Sequence, residues 1–271
     1  MEYRDLSFER RGSVAVATLA RPEKLNALSR RLQDETRAVC EAVEADDEIR
    51  ALVVTGEGRG FCSGADLSGV RPRDDGTTRE PSTPSQTQRL DEYGWVGRQA
   101  RAFYELTKPT IAAVNGVAAG AGMSLALACD LRVGSENARF KTVFIERHLS
   151  PDSGMSFFLP RIIGYARAAD LIFTSRSVDA DEAYRLGLLD RLVEAEHLLE
   201  SAVALAEQIA AWGPMAMRAS KRVLQQNMNL PLDEALRNET RHLQFARRAP
   251  NDVREARASF ASRRRPEFTG S

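Results

Sequence analysis

The order of structural elements is decided by one stretch, residues 110–122: Thr110-Ile111-Ala112-Ala113-Val114-Asn115-Gly116-Val117-Ala118-Ala119-Gly120-Ala121-Gly122. Its apolar start predicts a buried strand, its glycines predict a turn, and the apolar segment 123–129 that follows predicts a helix. The same order recurs over 51–67, where an apolar run precedes a second glycine turn. Strands that alternate with helices in this way favour an α/β fold.

Working outward, the remaining elements follow from periodicity and from cap signals. We predict a hairpin over 6–19 and a helix over about 29–45, with Ser29 as its N-cap. The stretch 71–92 is polar and rich in Pro, Ser and Thr, which indicates a mobile surface loop, with a lid as one interpretation. From about residue 178 to the end the chain is predicted to be helical, in the segments 179–187, 195–212, 214–227 and 231–262.

Composition limits the classes of function. The 271 residues suit one large domain, or one domain with a smaller appendage. The 38 basic and 38 acidic residues cancel, so no global attraction to nucleic acid or to an anionic membrane is expected. No run approaches the ~18–20 apolar residues of a membrane span, and residues 1–9 lack a secretory signal. We therefore expect a cytoplasmic protein.

Disulfides and a metal centre are not expected. The cysteines and histidines are spread along the chain without the spacing of a ligand set, and no CxxC pair is present. The residues concerned are Cys40, Cys62, Cys129, His148, His197 and His242.

Two predicted strand-to-helix turns, 61–67 and 120–122, can offer backbone N–H groups for chemistry. Such a turn presents free N–H groups at a helix start, where the helix dipole favours an anion. Two N–H groups that converge on one oxygen form an oxyanion hole, each often worth about 3–4 kcal/mol to a transition state. Either turn can equally serve only to pack a strand closely on a helix. A dinucleotide site is not indicated, because Leu125 stands where GxGxxG needs its third glycine.

The series of motifs resembles the crotonase (enoyl-CoA hydratase/isomerase) family, in order and over nearly the whole chain. The motifs are Arg21-Pro22, Asn26-Ala27-Leu28, Phe61-Cys62-Ser63-Gly64-Ala65-Asp66-Leu67, Lys108-Pro109, the stretch 112–122, Ala128-Cys129-Asp130-Leu131, Leu159-Pro160-Arg161-Ile162-Ile163-Gly164, and the stretch 180–188. The resemblance implies a spiral of ββα units over residues 1–200 and a helical trimerisation region over 201–271. It further implies an acyl-CoA substrate, no cofactor apart from the coenzyme A of the substrate, no metal, and a homotrimer or a dimer of trimers.

The resemblance also assigns roles to residues. The oxyanion N–H groups are expected to be those of Ala65 and Ala121. The family usually has glycine at the second position, and alanine serves if no positive φ is needed there. The substrate and CoA contacts implied are Lys24, Leu25, Ala27, Asp66, Leu67, Gly120, Phe144, Phe260 and Arg263. Residues 263–265 are either phosphate contacts or a solvated basic tail. We interpret Cys62 and Asp130 as structural residues.

The chain departs from the hydratases of this family at the positions of their two glutamates. Those positions hold Ser124 and Phe144, and neither side chain can act as a general base. Asp152 matches the aspartate of dienoyl-CoA isomerases and the nucleophile of 4-chlorobenzoyl-CoA dehalogenase. A lone carboxylate there suits proton transfer. The alternative is that Asp152 only caps a helix that begins near Ser153.

Four functions remain open on the sequence. The leading hypothesis is double-bond isomerisation, with Asp152 as the single acid/base group. The second is hydration, either through Glu146, which would share the face of Phe144 if this segment were a strand, or through a weaker water site. The third uses Asp152 as a nucleophile for hydrolysis or dehalogenation and needs a base, but no histidine precedes His148. The fourth is an acyl-CoA binder without catalysis.

Overall fold

The structure is a computed structural model that describes residues 3–68 and 85–271. The predicted loop and lid over 71–92 lies outside the described residues up to position 84.

The described elements run in the following order: β1 (Leu6–Arg11), β2 (Val14–Leu19), α1 (Arg30–Ala45), β3 (Ala51–Gly56), β4 (Gly60–Cys62), α2 (Gln86–Arg89), α3 (Gly94–Glu105), β5 (Thr110–Val114), β6 (Val117–Ala119), α4 (Ala121–Ala128), β7 (Leu131–Ser135), β8 (Arg139–Lys141), α5 (Met155–Ile163), α6 (Tyr165–Thr174), β9 (Val178–Asp179), α7 (Ala180–Leu186), β10 (Arg191–Val193), α8 (Leu198–Ala210), α9 (Pro214–Asn227), α10 (Leu232–Ala246) and α11 (Pro250–Ala261). Short 3-10 helices lie at Pro22–Lys24, Ile145–Arg147 and Ala195–His197.

Two sheets organise the N-terminal two thirds of the chain. The larger has the order β1-β2-β3-β5-β7-β10, with β1 antiparallel to β2 and the other neighbours parallel. The smaller has the order β4-β6-β8-β9 and is parallel from β4 to β8. From β3 to β8 the chain therefore alternates between the sheets, and a helix follows each pair of strands. The predicted α/β spiral of ββα units is confirmed.

Apolar runs explain why the strands of the larger sheet lie inside. β3 and β5 are buried along their whole length, as parallel strands are when both faces are covered. The main core lies between this sheet, the smaller sheet and helices α1, α3, α4 and α5. The opposite face is covered by α8, through Leu198, Ala202, Val203, Leu205, Ala206 and Ala210.

Helix α1 shows how closely local signals determine an element. The side chain of Ser29 accepts a hydrogen bond from the N–H of Leu32 at 3.1 Å, as predicted for an N-cap. The helix buries one stripe of side chains with the 3.6-residue period: Leu32, Thr36, Val39, Cys40 and Val43. The predicted hairpin is likewise confirmed as β1 and β2.

The C-terminal part contains more than the helices predicted for it. β9 and β10 are strands of two and three residues, too short to produce a periodic signal, so the prediction of an all-helical segment from 178 was wrong. The predicted helix over 231–262 is two helices, because Pro250 begins α11 at the first helical position. Residue 200, the predicted boundary between the two regions, lies within α8, and the division into domains stays a prediction.

The C-terminal helices leave a large apolar surface uncovered in the single chain. The large apolar side chains here that are at least half exposed are Trp212, Leu224, Met228, Leu232, Leu236, Leu243 and Phe260, with exposed fractions from 50% to 86%. Surfaces of this kind mark interaction sites in proteins. Among residues 3–68 and 85–271, no helix has both the length and the apolar character that crossing a membrane requires.

Candidate active site

The two glycine turns lie directly against each other. A Cβ atom on Gly64 would lie 2.8 Å from the carbonyl oxygen of Ala119 and 3.5 Å from the amide nitrogen of Ala121. A Cβ atom on Gly122 would lie only 2.0 Å from the carbonyl oxygen of Cys62. Glycine at both positions therefore lets the two backbones approach more closely than a side chain would permit. The turns that the sequence singled out separately form one site.

The first turn offers the amide of Ala65. Leu28 pairs with Ala65 in a parallel bridge, in which the Leu28 N–H donates to Gly64 at 2.8 Å and Leu28 accepts from the Asp66 N–H at 3.2 Å. In such a bridge the N–H of Ala65 itself points away from Leu28. It donates no hydrogen bond to another described residue, and Ala65 is exposed. A free donor therefore faces the open side of the turn.

The second turn offers the amide of Ala121, the first residue of α4. The first N–H groups of a helix have no partner within it. The positive φ of this turn falls on Gly120, at 50°, and not on Ala121, so the condition for alanine to present its N–H is met. The N–H of Gly120 donates to the carbonyl of Lys141 at 3.0 Å, which fixes the turn against β8. Two free N–H groups on adjacent turns can polarise one carbonyl oxygen.

Most of the predicted CoA contacts also lie beside the first turn. This set comprises Lys24, Leu25, Ala27, Asp66 and Leu67. Arg21 links residues 24–27 to residues 66–67, because the Arg21 guanidinium donates to the carboxylate of Asp66 at 2.8 Å and to the carbonyl oxygen of Ala27. The N–H of Ser63 adds a bond to the carbonyl of Leu25 at 2.9 Å. The structure thus brings the set together, and CoA binding by it stays a prediction.

Two residues that hold this loop were not identified as functional from the sequence. Asn26 is fully buried with φ of 55°; its side chain accepts from the N–H of Arg21 and donates to the carbonyl of Gly60 at 2.7 Å. Arg21 is the second. Bonds from the hydroxyl and N–H of Ser68, together with Arg21, lower the pKa of Asp66 to about 2. Both residues lie in quoted motifs, but the motifs do not indicate which atoms they bond.

The C-terminal contacts predicted for CoA are not brought to this set within one chain. Phe260 is 86% exposed, and Arg263 follows the end of α11 as an exposed residue. Within the described ranges, neither forms a hydrogen bond or ion pair with the set beside the first turn. Arg264 pairs with Glu255, and this pairing lowers the pKa of Glu255 to about 2. Residues 263–265 are all exposed, so a solvated basic tail and phosphate contacts both stay predictions.

The two positions at which the hydratases carry glutamate are buried and hold no carboxylate. Phe144 is 5% exposed and Ser124 is 1% exposed. The adjacent Val143 has φ of 56°, and its side chain lies 3.0 Å from where a Cβ of Gly120 would stand. Neither glutamate position supplies a general base, and the wall next to Gly120 is apolar.

Asp152 lies half-buried at a tight turn before α5. Its carboxylate accepts a hydrogen bond from the Ser153 hydroxyl at 2.8 Å. The interpretation of its side chain as a helix cap was wrong, because α5 begins at Met155 behind Gly154 and has no side-chain cap. Ser153 has a φ of 53°, and a left-handed residue other than glycine stores strain of the kind found at functional sites. The carboxylate is thus not committed to a helix N–H.

Glu146 does not share the face of Phe144, so the argument for it as a base loses its premise. The segment Ile145–Arg147 is a 3-10 helix and not a strand, and residues two apart on such a helix point in different directions. The carboxylate of Glu146 is exposed and forms an ion pair with the ammonium of Lys141 at 2.6 Å. That pairing lowers the pKa of Glu146.

Two other motif residues are structural, as interpreted from the sequence. Cys62 is fully buried in β4, and burial raises the pKa of its thiol to about 12. Asp130 accepts bonds from the N–H and hydroxyl of Thr110 at 2.7 and 2.9 Å, and pairs with the buried ammonium of Lys221 at 2.6 Å. This pair ties α9 to the start of β5.

Comparisons with known proteins agree with this geometry. The family model described as enoyl-CoA hydratase/isomerase matches residues 9–271. A short-chain-enoyl-CoA hydratase of Clostridium acetobutylicum is 34% identical over 98% of both chains. A 1,2-epoxyphenylacetyl-CoA isomerase of Escherichia coli is 34% identical over 95% of both chains. The crystal structure of an enoyl-CoA hydratase from Bacillus anthracis aligns over 99% of this chain and 100% of that one, with a TM-score of 0.88 and 29% identity. The chain belongs to the enoyl-CoA hydratase/isomerase family.

Proposed function

We propose that this acyl-CoA enzyme moves a double bond along the acyl chain. The N–H groups of Ala65 and Ala121 hold the thioester oxygen. The carboxylate of Asp152 takes a proton from the α carbon of a 3-enoyl thioester, and the electron pair of that C–H bond delocalises into a dienolate. The carboxylic acid so formed returns the proton to the γ carbon, which leaves the 2-enoyl thioester. The cycle needs one acid/base group and no water.

The proposal is supported chiefly by which carboxylates are present and by the groups to which each is bonded. Both positions at which the hydratases carry glutamate lack one here, since they are Ser124 and Phe144. Asp152 retains a half-buried carboxylate that is bonded to a neighbouring hydroxyl and not to a helix N–H. Glu146 is exposed and neutralised by Lys141. A reaction with a single proton-transfer group is the one that this set of side chains supports best.

In this proposal coenzyme A enters as part of the substrate, and no separate cofactor takes part. Lys24, Leu25, Ala27, Asp66 and Leu67 contact its adenine half. Phe260 and Arg263 reach it only after assembly, because they make no contact with this set in the single chain. The exposed apolar residues of α9 and α10 support assembly as a homotrimer or a dimer of trimers.

Hydration is the second candidate, and the name of the Clostridium acetobutylicum relative favours it. The Escherichia coli relative, equally similar at 34% identity, is named an isomerase of an epoxide, so relatives at this distance are not all named hydratases. Hydration would require a base to activate water, and the side chains at the hydratase positions provide none. We therefore rank it below isomerisation.

A paired assay tests the proposal. The enzyme is incubated separately with a 3-enoyl-CoA and a 2-enoyl-CoA, and the products are separated and weighed by mass spectrometry. We expect conversion of the first to its 2-enoyl isomer without a change of mass, and little gain of 18 mass units by the second, the mass of one water. Rapid hydration of the 2-enoyl thioester, with no migration of the double bond, would overturn the proposal.

A further inference from the structure

A buried hydroxyl beside the second turn lacks a partner. Ser124 is 1% exposed, and its Oγ has no hydrogen-bond partner in the described part of the chain. Native proteins pair nearly all buried polar side-chain atoms, so an exception calls for a group that the protein alone does not supply. The expected mechanism of the enzyme makes no use of this hydroxyl.

The helix geometry directs Ser124 toward the oxyanion turn. On α4, Ser124 lies three residues after Ala121, and residues at that spacing are neighbours on one helix face. Gly122, by contrast, faces Cys62, on the other side of the helix. Side chains on a helix lean toward its N-terminus, so the hydroxyl leans toward the end at which the Ala121 N–H is free. The Cβ atoms of such neighbours lie about 5–6 Å apart, which puts the hydroxyl near the first carbons of an acyl group held there.

The surroundings make this hydroxyl selective. Across from Gly120 lies the side chain of Val143, and the next residue along the chain, Phe144, is buried. A single hydroxyl beside an apolar wall discriminates between ligands that can and cannot bond to it. We propose that Ser124 determines specificity by hydrogen bonding to an oxygen substituent on the α carbon of the acyl group, a position that a 3-enoyl thioester leaves open to substitution. The site then prefers oxygen-bearing acyl-CoA thioesters, a preference that rests on the proposed acyl-CoA function.

The experiment compares two ligands that differ by one oxygen. Dissociation constants of butyryl-CoA and 2-hydroxybutyryl-CoA are measured by calorimetry, and mass spectrometry of the recovered ligand checks that it is unchanged. Ser124→Ala is the test variant. Ser135→Ala is the matched control, because Ser135 is equally buried but its hydroxyl already donates to the carbonyl of Asn115 at 3.3 Å.

We expect wild type to bind the hydroxylated thioester more tightly by roughly 3- to 10-fold, the range of one buried hydrogen bond. Ser124→Ala should abolish this preference and leave butyryl-CoA binding unchanged, and Ser135→Ala should keep the preference. An equal preference in wild type and Ser124→Ala would overturn the inference while leaving the proposed function intact. Failure of wild type to bind either thioester would overturn the proposed function and the inference with it.

Thermal unfolding gives an independent readout. Ser124→Ala removes an unpaired buried hydroxyl and should not lower the midpoint temperature of thermal unfolding. Ser135→Ala removes a paired hydroxyl and should lower that temperature. A fall in the midpoint for Ser124→Ala as large as that for Ser135→Ala would contradict the inference, since it would mean that Ser124 already has a partner inside the protein.

Discussion

The two glycine turns and the segment 141–154, which meets the second turn at Lys141 and Val143, are built on different principles. The turns are held by contacts between main chains, where Gly64 and Gly122 leave no room for a Cβ atom. The segment is irregular, and left-handed backbone recurs in it at Val143, His148 and Ser153. The turns contribute N–H groups, which every residue except proline possesses, whereas the segment contributes side chains.

This difference separates binding from chemistry. A main-chain oxyanion hole is the same whichever side chain stands at Ala65 or Ala121, so it can serve many reactions of one substrate class. The reaction depends on which carboxylates the segment 141–154 supplies. Substitutions in the turns should therefore affect fold and all ligand binding together, and substitutions in the segment should affect turnover alone.

The largest effect is expected from Gly122→Ala. The added Cβ would stand 2.0 Å from the carbonyl oxygen of Cys62, so the turns must separate, at a cost of about 3 kcal/mol in stability and with loss of acyl-CoA binding. Thermal denaturation and calorimetry with crotonyl-CoA measure both. Gly12→Ala is the control for an added Cβ without a clash, since no atom lies within 4 Å of the new Cβ, and its positive φ of 60° alone costs stability. It should lose some stability and keep its binding. Wild-type affinity of Gly122→Ala for crotonyl-CoA would contradict the claim that acyl-CoA binding depends on close contact between the two turns.

Asp66→Asn should perturb the flank of the first turn in a manner that depends on pH. The pKa of Asp66 is about 2 in the folded protein, below its ordinary value of 3.8. The carboxylate therefore stabilises the fold at neutral pH, and this contribution declines as pH falls below about 4 towards 2. We expect a loss of about 1–2 kcal/mol at pH 7, allowing for solvent screening, and a smaller loss at pH 3. Urea denaturation at both values checks this; an equal loss at both would contradict it.

Ser153→Gly should separate strain from chemistry in the segment. Glycine relieves the left-handed conformation at φ of 53°, but it removes the hydroxyl that donates to Asp152. Stability should change by less than about 1 kcal/mol, while turnover falls roughly 3- to 10-fold. Ser175→Gly is the matched control, because its φ of 51° is nearly the same. It should leave turnover unchanged, and an equal fall in both variants would contradict a role for the Ser153 hydroxyl.

The smallest effect is expected from Glu146→Gln. The ion pair with Lys141 is exposed, and such pairs contribute little to stability. Turnover should change by less than about 2-fold, because the carboxylate of Glu146 is not available as a base. Steady-state kinetics on a 3-enoyl-CoA and on a 2-enoyl-CoA measure it. If Glu146→Gln loses activity on the 2-enoyl thioester, the result favours hydration with Glu146 as the base.

The elements that could be predicted from the sequence are those specified by residues close together in the chain, and the elements that were missed depend on distant residues. The hairpin, α1 with its Ser29 cap, and the buried strands were predicted correctly because each is specified by neighbours in the sequence. β9 and β10 were missed because a strand of two or three residues exists only through its pairing with a distant strand. The break before α11 was missed although Pro250 signals it.

At the site, the glycines of both turns could be identified from the sequence, since close approach of main chains leaves a local mark. The bonds from Arg21 to Asp66 could not, because they join residues 45 positions apart. The orientation of Glu146 was predicted wrongly because a two-residue alternation was assumed where the chain makes a 3-10 turn. Irregular backbone carries no periodicity from which an orientation can be inferred.

Deuterium incorporation by the Asp152→Asn variant tests the central claim most directly. A 3-enoyl-CoA is incubated with wild type or variant in D₂O, and label entering the acyl chain is followed by mass spectrometry, with binding measured separately by calorimetry. The account predicts that the variant binds the thioester within about 2-fold of wild type but exchanges label 10²–10⁴-fold more slowly, the usual contribution of a proton-transfer group. If Asp152→Asn exchanges label as fast as wild type, Asp152 is not the base, and the assignment as an isomerase acting through Asp152 is wrong. Loss of exchange in Glu146→Gln would strengthen that contradiction.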